Sequence, residues 1–104
     1  MFVELRTYAP HPGAVPAFLD LYQAGPMELQ RGALGNLLGY FVTETGMLNS
    51  VVHMWGYADL EDRNRRRSAL ATNPEWQRFL AAVLPLMQSQ ESVLLRPTNF
   101  SPIR

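Results

Sequence analysis

The chain has 104 residues, within the roughly 100–200 that one domain usually fills, and its 47% hydrophobic and 17% charged residues are the composition of a folded protein. Nine basic and nine acidic side chains cancel, so the electrostatic footprint of a nucleic-acid or anionic-membrane binder is missing. All nine basic residues are arginine and there is no cysteine, which removes lysine Schiff-base chemistry, thiolate catalysis, disulfides and cysteine-held metal sites. No basic, apolar leader precedes the first patterned segment, and no apolar run approaches the ~20 residues of a membrane helix. A cytoplasmic protein of one domain, residues 1–104, is the expectation.

Phe2–Tyr8 alternates, with Val3 and Leu5 on one face and Glu4, Arg6 and Tyr8 on the other, which predicts a strand. Pro10–Gly13 breaks it. Val15, Phe18, Leu19 and Tyr22 follow at helical spacing, and Gly25-Pro26 kinks or ends that helix, with a second piece from Met27 to about Gly32. Leu37–Thr43 and Val51–Tyr57 read as strands around the short loop Thr45–Asn49, an antiparallel hairpin. Asp59 suits an N-cap and, with Asp62, opens a charged helix to about Ala71. Asn73-Pro74 opens another, whose apolar face is Trp76, Phe79, Leu80, Val83 and Met87, with Pro85 bending its last turn. Ser92–Arg96 is a final strand stopped by Pro97, and the tail Thr98–Arg104 is extended. The order is βαββαβ, the α+β ferredoxin-like arrangement: a four-stranded antiparallel sheet with helices on one face.

A sheet covered on one side reads apolar in and polar out. Here Val52 and Met54 oppose Val51, His53, Trp55 and Tyr57, while Leu38, Tyr40 and Val42 oppose Gly39, Phe41 and Thr43. Both faces want cover and the helices supply one. With Glu4, Arg6 and Tyr8 placed on the face away from the helices, Trp55 and Tyr57 would leave an apolar patch on the order of several hundred Å², which soluble monomers rarely tolerate. A second copy packed sheet to sheet about a twofold axis covers it, so a homodimer is expected.

His53 is the leading candidate for chemistry, as the acid–base side chain nearest neutral pH; the plain alternative is a buried, hydrogen-bonded histidine that stiffens the sheet. No second histidine or cysteine stands at ligand spacing, so no metal site is expected, and a haem held by His53 is a minor alternative to having no cofactor at all. Tyr8 is a second catalytic candidate. Arg6 and Tyr8 could hold an anionic or phenolic substrate, or merely pair across strands and pack. Tyr40, Trp55 and Tyr57 could line an aromatic pocket, or form core or interface. Glu44 and Asn49 flank the hairpin, either at a pocket mouth or as turn caps. Arg63, Arg65, Arg66 and Arg67 follow Asp59, Glu61 and Asp62 at ion-pair spacings and read as a solvated helix face.

Glu4-Leu5-Arg6-Thr7-Tyr8, Pro12-Gly13, Leu38-Gly39-Tyr40-Phe41, the block from Val52-His53-Met54-Trp55 to Tyr57, Asn73-Pro74-Glu75-Trp76 and Leu95-Arg96-Pro97 together resemble the NIPSNAP family. The resemblance implies the dimeric α+β barrel superfamily, whose relatives include cofactor-free and haem-degrading monooxygenases; NIPSNAP members themselves have no settled enzymatic activity. On that reading the short, lysine-free chain is bacterial and binds a small hydrophobic or aromatic molecule in the barrel as a homodimer. A cofactor-independent or haem-linked monooxygenase, or a purely structural dimer, are the competing readings.

Overall fold

In the computed structural model, which describes residues 1–104, the segments of period two are strands and those of period 3.6 are helices. In chain order they are β1 (Phe2–Pro10), α1 (Val15–Gln23), α2 (Pro26–Leu34), β2 (Asn36–Val42), β3 (Val51–Tyr57), α3 (Leu60–Ala71), α4 (Pro74–Val83) and β4 (Met87–Leu95), with a 3₁₀ turn over Leu84–Leu86. The sheet order is β2-β3-β1-β4 and each neighbouring pair is antiparallel. This is the ferredoxin-like βαββαβ order with each helical segment split in two. No helix is long and apolar enough to cross a membrane.

The caps behave as their residue types dictate. The Asp59 carboxylate accepts the Asp62 backbone N–H at 2.7 Å, and Asp62 in turn accepts the Ala58 N–H at 3.1 Å. Asn73 accepts the backbone N–H groups of Glu75 and Trp76, with Pro74 in the first turn of α4. Two boundaries depart from the sequence reading. The helix stops in the 3₁₀ turn around Pro85, so Met87 is extended and pairs with Pro10 instead of completing the helical face. β4 therefore begins well before Ser92. In β2 the register shifts between Leu37 and Gly39, and the extra residue puts Leu37 and Tyr40 opposite Trp55 and His53.

The covered face is the reverse of the one expected. Antiparallel partners share a face, and Glu4↔Trp55, Arg6↔His53 and Tyr8↔Val51 are partners. This side lies under the helices: Tyr8 meets Phe18 of α1 edge-on at 6.0 Å, Tyr22 of α1 stacks on Tyr40 at 5.0 Å, and two α3 arginines reach Glu4. Trp55 and Tyr57, read as an exposed patch, are 0% and 2% exposed. The physical reason is complementarity. The helices offer an aromatic stripe of Phe18, Tyr22, Trp76 and Phe79, and guanidinium groups that can satisfy a buried carboxylate. The arginine run is likewise divided. Arg65 points outward to Asp62, whereas Arg63 and Arg67, one turn apart, turn inward to Glu4 and keep only partial contact with solvent.

The other face carries Leu5, Val52, Met54, Phe41, Val93 and Leu95, with no helix over it. Phe41 is 54% exposed, and its ring lies across Gly39 so closely that a Cβ there would come within 2.5 Å of it.

Candidate functional site

β1 delivers Glu4, Arg6 and Tyr8 as successive residues of the covered face. Glu4 is fully buried and its carboxylate is saturated. Oε2 accepts from Ser92 Oγ at 2.6 Å, Arg63 Nη2 at 2.7 Å and Arg6 Nη1 at 3.0 Å; Oε1 accepts from Arg67 Nε at 3.0 Å and the Tyr57 hydroxyl at 3.3 Å. Burial alone would raise the Glu4 carboxyl, but the hydrogen bonds from Arg63 and Ser92 and the charges of Arg67 and Arg6 outweigh it and hold the group at about 2. Glu4 is a carboxylate at any physiological pH.

Beside it, Trp55 Nε1 donates to His53 Nδ1 at 2.7 Å. An indole N–H can only donate, so Nδ1 is the acceptor and the neutral ring carries its proton on Nε2. Burial, reinforced by the positive charges of Arg6 and Arg67, lowers the imidazole to about 3, so the ring is neutral near pH 7. Nε2 is buried without a hydrogen-bond partner. The ring stacks on Tyr40 at 4.7 Å and meets the Tyr8 ring edge-on at 4.8 Å. In this state His53 is a donor, with its lone pair committed to Trp55. A haem iron would need the Nε2 lone pair and therefore a proton on Nδ1, facing the Trp55 N–H; the ring as held does not fit that group.

In front of Tyr8 and Tyr40 lies a cavity of about 300 Å³ between the sheet and α1 and α4. Its walls are Tyr8, Phe18, Tyr22, Tyr40, Trp76 and Phe79, and Leu80, Leu84, Met87 and Gln90 also line it. The Tyr22 hydroxyl donates to Gln30 Oε1 at 2.6 Å, while the Tyr8 oxygen accepts from Arg6 Nε at 3.1 Å. Burial raises the Tyr22 and Tyr40 phenols, which stay neutral donors. The Tyr22–Tyr40 stack separates this cavity from a smaller one of about 220 Å³ lined by Leu19, Met27 and Leu37.

Of the residues singled out from sequence, Arg6, Tyr8, Tyr40, His53, Trp55 and Tyr57 share this one layer, and Tyr8 and Tyr40 form cavity wall. Trp55 orients His53, and Tyr57 belongs to the Glu4 cluster. Glu44 and Asn49 lie in the β2–β3 connection and line none of the cavities described. Asn49 supplies a left-handed residue there (φ 59°), and Thr43 Oγ1 ties the turn to Met47 and Ser50. Sequence reasoning missed Glu4 as the centre of the cluster, and Arg63, Arg67 and Ser92 as its partners. It also took Phe18, Trp76 and Phe79 as ordinary core. The i, i+4 spacing of Arg63 and Arg67 was the available signal.

The NIPSNAP family model matches residues 3–102. A solved NIPSNAP family protein of Agrobacterium tumefaciens is 45% identical and superposes with a TM-score of 0.96, over 99% of this chain and 98% of that one. The NipSnap homolog of Dictyostelium discoideum is 35% identical over 96 residues, which are 92% of this chain but 42% of that protein, so this chain spans well under half of that curated relative. A solved antibiotic biosynthesis monooxygenase shares the fold, at 17% identity and a TM-score of 0.65. With the match running through all four strands and all four helices, the chain belongs to the NIPSNAP family.

Proposed function

We propose that this chain binds a small hydrophobic or aromatic molecule in the layer between its sheet and its helices, and does so as a homodimer. The aromatic cavity of about 300 Å³ carries the first half of this reading. It opens to solvent past Leu80 and Leu84, which gives a small molecule a way in. Its size is at the lower end of small-molecule sites, which run from roughly 300 to 1,000 Å³ and are apolar with a few directed polar groups. Tyr22, Tyr40 and Phe79 give the cavity an aromatic lining, with Tyr40 already held between the Tyr22 and His53 rings. Tyr8, whose oxygen already accepts from Arg6, has its own proton left to donate to an acceptor on the ligand. Calorimetric titration with p-cresol and indole tests this. Saturable binding, weakened roughly tenfold by Leu84→Trp at the exposed rim, is the expected result. Heats that never saturate with either compound would contradict it.

The dimer rests on the uncovered face. Phe41, Val93 and Leu95 are 54%, 37% and 40% exposed there, beside Leu5, Val52 and Met54. A largely apolar sheet face matches a second copy of itself across a twofold axis, and two such sheets close into a barrel. Sedimentation should give twice the chain mass of 11.8 kDa at micromolar concentration, and Phe41→Arg should return the single mass. A wild-type chain that sediments at 11.8 kDa would overturn the pairing.

A further inference from the structure

We infer that the ligand of this cavity is an aromatic carboxylate, held with its negative group at the Tyr8 end against the field of Arg6, Arg63 and Arg67. The inference rests on the reading of the cavity as a binding site and adds the charge of what it takes. Its basis is a local imbalance in a chain that is neutral overall. Three guanidinium groups converge on the single carboxylate of Glu4, leaving two positive charges unmatched. The side chains of Arg6, Arg63 and Arg67 are only 18%, 25% and 17% exposed, so water compensates them in part only. Arg63 Nε and Arg67 Nη2 are buried without a hydrogen-bond acceptor; the latter lies 3.0 Å from Glu4 Oε1 but off the line of a hydrogen bond. Neither arginine lines the cavity, so a ligand there would meet their charge rather than accept from them. Asp62, another acid of α3, is taken by Arg65 and Arg66.

The cluster adjoins the cavity through β1 and β4. Arg6 donates into the Tyr8 oxygen, and Tyr8 is cavity wall. Gln90, directly across from Tyr8 on β4, also lines the cavity, and the next β4 residue on that face, Ser92, belongs to the cluster. An anion placed between the Tyr8 hydroxyl and the Gln90 amide would accept from both, with Arg6 one hydrogen bond behind. The field already acts just behind the cavity wall: with burial, the charges of Arg6 and Arg67 help keep His53, packed against Tyr8 and Tyr40, in its neutral form.

The test compares phenylacetate with its uncharged isostere phenylacetamide by calorimetry on the full chain at pH 7 and low salt. The acid should bind roughly tenfold or more tightly than the amide, with the margin shrinking as salt is raised. In Arg6→Gln the margin should fall below about twofold, and Arg67→Gln, which spares the Tyr8 hydrogen bond, should reduce it in part. Equal or tighter binding of the amide by the wild-type chain would overturn the inference and leave the cavity reading standing. So would an acid preference that survives in both variants. Saturable binding of neither compound, nor of p-cresol or indole, would overturn the inference and the cavity reading together.

Discussion

The two faces of one sheet carry opposite chemistry here. On the helix side, Glu4, Arg6, Tyr8, His53, Trp55 and Tyr57 are charged, polar or aromatic, and buried or nearly so. On the other side, Leu5, Val52, Met54, Val93 and Leu95 are aliphatic and lie open or half-open, beside the buried Val3 and interrupted by Thr7 and Glu91. The usual assignment of apolar side chains to the covered face fails because the helices are not simply apolar. α3 brings two guanidiniums and α1 and α4 bring rings, so the chemically richer face is the one they can satisfy. The plain aliphatic face needs only another surface like itself. In the proposed reading, ligand binding lies inside the protomer and the second face is free for association.

The comparison can be broken most severely at Glu4. Glu4→Gln removes the one negative charge, itself fully buried, among three half-buried cations and should cost about 3 kcal/mol, read from the urea midpoint. A loss much smaller than this would mean the covered face tolerates unpaired charge. Truncating rings on the two sides should give unequal results. Phe79→Ala, in the covered layer, should cost about 3 kcal/mol, whereas Phe41→Ala should leave chain stability within about 1 kcal/mol and appear as weaker self-association.

Acid should act on the covered face. His53 titrates near 3 in the folded chain and at an ordinary 6.5 in the unfolded one, so below pH 6.5 the unfolded chain takes up a proton that the folded chain refuses. Stability should therefore fall by about 2–3 kcal/mol between pH 6.5 and 4.5, with His53→Gln flattening that slope. The Glu4 contribution is fully present above 4.5 and is lost as pH falls toward 2. The smallest effect belongs to the outer surface. Arg65→Ala removes an ion pair whose arginine is 69% exposed and should leave the melting midpoint unchanged within error.

Strands, helices, caps and the antiparallel hairpin were legible because alternation, Asp59 and Asn73-Pro74 act locally. The covered face was not, because Val3/Leu5 and Tyr8/Trp55/Tyr57 are both large enough to demand burial, and the deciding contact joins Glu4 to Arg63 and Arg67 across the chain. His53 could be singled out by type, but its tautomer depends on the Trp55 indole reaching Nδ1, which spacing alone does not fix. The cavity was hidden for a different reason. Phe18, Tyr22, Trp76 and Phe79 have the periodicity of core, and periodicity marks which residues turn inward without telling whether the space between them is filled. Glu44 and Asn49 attracted notice as polar residues by a hairpin; both lie in the β2–β3 connection, where Asn49 takes a left-handed turn position.

The most direct test of the whole account is which face of the sheet responds to ligand. Nuclear magnetic resonance of the Trp76 indole N–H and of the Leu5, Met54 and Val93 methyl groups, followed during titration with phenylacetate, reads both faces at once. Binding between the sheet and the helices gives a saturable shift at Trp76, with those three methyl groups unmoved. Saturable shifts at Leu5, Met54 and Val93, with Trp76 unmoved, would place binding on the aliphatic face and contradict it.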